Sequence, residues 1–190
     1  MDRREALRRV ALMLGGTISA PALAGLLAGC EKSTRAPGTA WVPRAVSPEQ
    51  GEMIAVIADL IIPTTDTPGA RAVGVHEFID TMLAEYYDAD DRARFAEGLT
   101  SLDARARSLC GEEFVRCAPE QQIELIVQLD HDTFASPQPD RPFFRTMKEL
   151  TLLGYYTSEA GATRELRYVA VPGRFEGCVP FTTIGRTWAV

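Results

Sequence analysis

Few side chains in this sequence are equipped for chemistry: four cysteines, Cys30, Cys110, Cys117 and Cys178, and two histidines, His76 and His131. Each histidine precedes a carboxylate, in His76-Glu77 and His131-Asp132, and imidazole with carboxylate is a donor set that zinc accepts. Neighbouring residues on a helix point in different directions, so neither pair makes a site by itself. The plainer reading is two histidines on helix surfaces or at a core edge. An independent metal-dependent enzyme built on His76 or His131 would instead carry a stoichiometric ion. Thr64-Thr65-Asp66 offers hydroxyls beside a carboxylate but no sequence-local base, and reads as a turn. The sequence has no phosphate-loop pattern, no GxGxxG, no CxxCH and no CxxC. No catalytic residue, no metal ligand and no cofactor of its own is assigned to the chain.

The cysteines divide by position. Cys30 ends Leu27-Ala28-Gly29-Cys30, which resembles a lipobox, whose cysteine is acylated and becomes the mature N-terminus. For the other three, the question is pairing. An unbroken helix would hold Cys110 and Cys117 about 10 Å apart at Cα, beyond bridging range. Gly111 and Pro119 suggest a break, which makes a Cys110–Cys117 clip feasible. A bridge from Cys178 to either would staple the tail to the helical body, and three free thiols remain a third alternative.

The N-terminus carries a second address. Asp2-Arg3-Arg4-Glu5-Ala6-Leu7-Arg8 resembles the bacterial twin-arginine export signal, with Arg3, Arg4 and Leu7 as the recognised residues. The apolar run behind it is broken by Gly15, Gly16 and Pro21, which makes a poor permanent span. Residues 1–29 are therefore expected to be a signal peptide, excluded from the fold. Periplasmic localisation is expected, with attachment to the inner membrane through lipid on Cys30; one acyl chain alone would hold weakly. The whole chain has 20 basic and 26 acidic residues, net −6. Removing the signal takes away more basic than acidic groups, so the mature chain is more acidic still. That balance argues against nucleic acid as a partner.

The elements that would position these groups are helical. Residues 30–47 read as a flexible tether, with Trp41-Val42 a docking contact within it. Ser47-Pro48-Glu49-Gln50 is a capping box with proline at the first helical position. Met53, Ile54, Val56, Ile57, Leu60 and Ile61 follow at helical spacing, and Pro63 ends the run. A second helix is expected from Val75 to Tyr86. A third, capped by Asp90, would carry Phe95, Leu99, Leu102 and Leu109 and stop at Gly111. A fourth would start at Pro119 with Ile123, Leu125, Ile126 and Leu129. A fifth would run from Phe143 through Leu153, reaching Ser158. Residues 166–190, broken by Pro172, Gly173, Gly177, Pro180 and Gly185, read as an irregular tail, long for a simple loop. The expected fold is mostly α: a single compact helical domain of about five helices over residues 48–165, with the tail packing on the domain or on a partner. Tyr86-Tyr87 and Tyr155-Tyr156 each offer one ring to the core and one to solvent or a partner.

Several segments together resemble the gluconate 2-dehydrogenase subunit 3 family. They are Ala58-Asp59-Leu60-Ile61-Ile62-Pro63-Thr64-Thr65-Asp66-Thr67-Pro68-Gly69-Ala70 with Gly74-Val75-His76-Glu77-Phe78-Ile79-Asp80, then Phe143 through Glu159, then Val171 through Cys178. The resemblance implies the small subunit of a membrane-associated dehydrogenase of the glucose–methanol–choline class, which oxidises a sugar or sugar acid. FAD would sit in the large catalytic subunit, and haem c in a cytochrome c subunit or domain that accepts the electrons. The twin-arginine signal would then export the folded, flavin-loaded partner together with this chain. Hydride transfer needs such a cofactor, which puts the activity in the complex rather than in this chain alone.

A stable pair would bury about 800 Å² on each side. The partner surface, or its support, is expected at Thr64, Asp66, Pro68, Gly69, Tyr155, Tyr156, Ser158, Glu159, Pro172 and Phe175. A free-standing envelope lipoprotein that binds a ligand or scaffolds other proteins is the alternative.

Overall fold

Ser47 starts the first helix as its sequence requires. In the computed structural model, which describes residues 41–135, 141–171, 173 and 178–189, the Gln50 N–H donates to Ser47 Oγ at 3.2 Å. The Ser47 N–H returns a bond to Gln50 Oε1 at 3.1 Å. The Ser47 hydroxyl also donates to Glu49, which holds that carboxyl below its ordinary range. Helix α1, Pro48–Ile61, buries Met53, Ile54 and Ile57. It ends where the Ile62 N–H reaches the Ala58 carbonyl and Pro63 has no N–H to continue.

Helix α2, Val75–Glu85, buries Val75, Ile79 and Leu83, together with one carboxylate, Asp80. Asp80 is 1% exposed, and its oxygens accept backbone N–H bonds from Arg44 (2.9 and 3.1 Å) and Ala45 (2.8 Å). A buried carboxylate is tolerated when such donors replace water. The docking contact expected at Trp41 is made within the domain: its ring lies over Gly51 and meets His76 edge-on at 5.0 Å. Val42 is exposed.

Helix α3, Ala89–Cys110, is capped by Asp88, which accepts the Asp91 N–H at 2.8 Å; the expected cap, Asp90, lies inside the first turn. The correction has a backbone cause, since Asp88 is the extended residue (φ −72°, ψ 175°) that a cap must be. Gly111, at φ 76°, ends the helix in the left-handed conformation that glycine adopts without strain. A 3₁₀ turn, Phe114–Arg116, then reverses the chain, with Phe114 fully buried. Its N–H is held by Asp103 Oδ1 at 2.9 Å and its carbonyl by Gln122 Nε2 at 2.8 Å. That reversal brings Cys110 and Cys117 to 6.1 Å at Cα, and they form a disulfide; Cys178 is free and exposed.

Helix α4, Pro119–Phe134, follows. Gln121 Oε1 accepts the Ala118 N–H at 3.1 Å, which is half of a capping box, since alanine has no side-chain acceptor for the other half. Helix α5, Phe143–Tyr156, is the centre of the bundle and packs against the other four long helices. Its Phe144, Met147, Leu150 and Tyr155 join the buried cluster with Ile54, Ile57, Ile79, Leu99, Leu102, Phe114 and Leu125. Each such side chain contributes about 1.5–3 kcal/mol when withdrawn from water.

The five long helices are supplemented by shorter pieces, so "about five" undercounts the helical elements. Besides the 3₁₀ turn there is a π-turn at Gly161–Glu165 and a four-residue helix α6, Phe181–Ile184. Pieces this short show no period in a sequence. The expectation of an irregular tail is accordingly corrected in part: α6 and a parallel bridge between Arg167 and Trp188 give it local order. Among the described residues that bridge is the only β-type pairing. Leu109, Ile123 and Leu153, expected on apolar faces, are 46%, 51% and 48% exposed.

A candidate docking face around the 64–69 loop

The loop between α1 and α2 is tied to itself before it meets anything else. Thr64 Oγ1 accepts the Gly69 N–H at 2.9 Å, the Thr65 N–H donates to the Thr67 carbonyl at 3.0 Å, and the Ala70 N–H closes onto the Ile62 carbonyl at 2.9 Å. Asp59, on the last turn of α1, accepts the Arg71 N–H at 3.3 Å. A Cβ on Gly69 would stand 2.6 Å from both Asp59 Oδ1 and the Thr64 nitrogen. No side chain fits there, so glycine is what lets the loop fold this tightly.

The C-terminal end of α5 then fastens that loop from below. Tyr155 is 1% exposed. Its hydroxyl donates to the Pro68 carbonyl at 2.9 Å and lies 3.2 Å from Thr67 Oγ1. Beyond α5, the Ser158 hydroxyl donates to the Tyr155 carbonyl at 2.6 Å and accepts the Gly161 N–H at 3.1 Å. A Cβ at Gly161 would collide with that same carbonyl oxygen. The π-turn that starts there brings Glu165 back to Thr67, whose hydroxyl donates to Glu165 Oε2 at 3.3 Å. Thr67 thus joins three segments that are distant in the chain: the loop, the end of α5 and the π-turn.

Of the residues expected at a partner surface, Thr64 and Asp66 are exposed on the loop, and Pro68 is half-buried. Gly69 and Tyr155 are buried and act as supports beneath that surface. Tyr156, whose ring meets that of Tyr155 edge-on at 5.4 Å, is 38% exposed, and Glu159 is exposed beside half-buried Ser158. One tyrosine inward and one outward is the division expected of adjacent aromatic residues on a helix. Leu152 and Leu153 add exposed apolar area on the same helix. Pro172 and Phe175 lie outside the described residues, as do Arg3, Arg4, Leu7 and Cys30. Asp59 and Glu165 escaped the sequence reading of the site, which took in Thr67 only within the stretch 64–69. Asp59 and Thr67 stand inside the conspicuous loop motif, but Glu165 offers no signal, because its partner is 98 residues away.

The histidines are well separated in role. His76 is half-buried against Trp41, whereas His131 is exposed with Nδ1 3.9 Å from Asp132. Among the described residues no group of three or more His, Cys, Asp or Glu side chains could hold a metal ion. Among them too, no helix is long and apolar enough to cross a membrane.

A helical bundle that presents a stapled loop flanked by exposed tyrosine and leucine has the make-up of a protein-binding domain. Comparison with known proteins gives that class a family. The model of gluconate 2-dehydrogenase subunit 3 matches residues 48–173, and the chain belongs to that family, non-catalytic accessory subunits of membrane FAD-dependent dehydrogenase complexes. No curated protein and no solved structure matches the chain.

Proposed function

We propose that this chain clasps a large FAD-containing catalytic subunit through the face built on residues 64–69 and 155–159. By this reading it escorts that subunit out of the cytoplasm and holds it at the periplasmic side of the inner membrane. The observation that carries the reading is the convergence at Thr67. Residues 58–70 and 143–159, both inside the stretch that the family model matches, are far apart in sequence yet joined by the Tyr155 hydroxyl. Packing that rigidifies an exposed loop prepares it for binding, because less freedom is then lost on association. Arg3, Arg4 and Leu7 serve as the export signal for both chains, and Cys30 as the lipid attachment point. The flavin of the partner oxidises a sugar or sugar acid and passes electrons to a cytochrome c subunit or domain; this chain supplies no cofactor.

The test is affinity purification of the full chain from detergent-solubilised envelopes, read by flavin absorbance and by identification of the co-purifying polypeptide. A yellow partner that lacks an export signal of its own is expected. The double variant Arg3→Lys, Arg4→Lys should strand both chains in the cytoplasm. A chain that purifies alone and monomeric would overturn the proposal in favour of a free-standing lipoprotein. A partner still exported with the double variant would remove the escort role and leave the clasp.

A further inference from the structure

Building on the dehydrogenase-subunit reading above, we propose that the folded-back tail forms a receptor for an acidic, apolar-flanked surface segment of the catalytic subunit. Its carboxylate would seat between Arg167 and Arg186. These two arginines line an open pocket of about 350 Å³ together with Thr163, Leu166, Tyr168 and Ile184.

The pocket exists because the tail returns. The Arg167 N–H donates to the Thr187 carbonyl at 2.8 Å, and the Ala189 N–H donates to the Arg167 carbonyl at 3.0 Å. Both guanidinium groups are then held by neutral partners. Arg167 Nη1 donates to the Ile184 carbonyl at 2.9 Å, and its guanidinium carbon lies 4.7 Å from the centre of the Trp188 ring. Arg186 Nη1 donates to the backbone carbonyl of Arg164. Most other described arginines are matched with carboxylates, among them Arg44 with Glu85, Arg71 with Glu52, Arg105 with Asp132 and Arg107 with Asp103, while Arg92 donates to the Ala84 carbonyl and Arg145 lies over Phe134. Among the described residues Arg164, Arg167 and Arg186 have no such ion pair, and nearby Glu165 is engaged by Thr67. In a chain of net charge −6, Arg167 and Arg186 are two positioned cations on one pocket without a carboxylate partner. A carboxylate answers them, because guanidinium groups present donors in a planar fork that matches that anion.

The surroundings select a polypeptide over a small anion. Tyr168, Val169, Val171, Phe181 and Trp188 are all exposed around the pocket or on the segments that form it. A small ion would leave that area wet, whereas Trp, Tyr and Arg together are the side chains on which protein interfaces concentrate their energy. The site is also continuous with the face proposed above, since Glu165 lies between Arg164 and Leu166 and reaches Thr67.

The experiment compares the wild-type full chain with Arg167→Glu/Arg186→Glu, Arg186→Lys and a charge-reversal control on the α3–α4 turn, Arg116→Glu. Each is used as bait in detergent extracts, and retained partner and flavin per bait are measured from low to high salt. Retention by the wild type is expected to fall with salt, and the double reversal should lower it about tenfold or more. Arg186→Lys should lose less than the reversal, and Arg116→Glu should match the wild type. Thermal unfolding of each bait reports on folding. Should the double reversal fail to fold, the wild-type salt titration and Arg186→Lys still decide. Retention indifferent to salt and to the reversals overturns the receptor. A retained partner that lacks flavin but is released by the reversals overturns the dehydrogenase reading and upholds the receptor. No retained partner at all overturns both.

Discussion

Tyr155→Phe removes one oxygen and keeps the ring, so its effect isolates the strut under the loop. The hydroxyl's bond to the Pro68 carbonyl, 2.9 Å long, is made by a side chain 1% exposed. Its loss leaves a half-buried carbonyl without that donor. A neutral hydrogen bond contributes about 1 kcal/mol net, and stranding its partner adds to that, so a loss of about 1–1.5 kcal/mol is expected. For a domain of this size each kcal/mol moves the midpoint by about 2–4 °C, giving a fall of roughly 2–6 °C. The more specific sign is local. Amide exchange at Gly69 and Ala70, whose N–H groups close the loop onto Thr64 and Ile62, should accelerate about five- to tenfold, while amides in the middle of α3 keep their rate apart from the global change. The assay is calorimetry with hydrogen exchange on wild type, Tyr155→Phe and Tyr156→Phe, the last altering an exposed ring and expected to stay within about 0.5 kcal/mol. Equal midpoints for wild type and Tyr155→Phe, with unchanged exchange at Gly69 and Ala70, would show that the loop stands without its strut. The convergence argument would then fall.

Two further outcomes follow from the packing. The Cys110–Cys117 bridge closes a short loop, a separation of 7, for which chain-entropy arguments give about 2.4 kcal/mol; Cys110→Ser/Cys117→Ser, or reduction, should lower denaturant stability by about that amount, checked by urea titration. Asp80→Asn keeps one acceptor oxygen but loses the charge that strengthens the bonds from Arg44 and Ala45. A cost of about 2 kcal/mol is expected, with faster proteolysis at residues 41–46 as the diagnostic readout.

The helix starts and stops were legible where a residue type forces them: the Ser47 box, Pro63, Gly111 and Pro119 all act as their chemistry requires. Asp88 and Asp90 were interchangeable by type, and only the backbone conformation selects between them. Leu109, Ile123 and Leu153 kept the helical period yet face outward, because a period marks an apolar arc wider than the stripe that neighbouring helices cover. The cysteine pairing stayed open in the sequence because spacing does not reveal the 3₁₀ turn that brings Cys117 back. Asp80 resembled any surface carboxylate, since its partners are backbone amides that no side-chain pattern discloses. Tyr155 was legible as an aromatic of interest, but its contact with Thr67 spans 88 residues. Arg167 and Arg186 passed as tail residues, since only the return of the chain makes them neighbours.

The Asp80 clamp also decides where mechanical load enters the domain. Any pull on the chain ahead of residue 41 passes along the backbone to Arg44 and Ala45. There it meets a carboxylate seated midway along α2, with the Arg44–Glu85 ion pair at 2.7 Å beside it. Tension is thus shared with α2 before it reaches the first turn of α1.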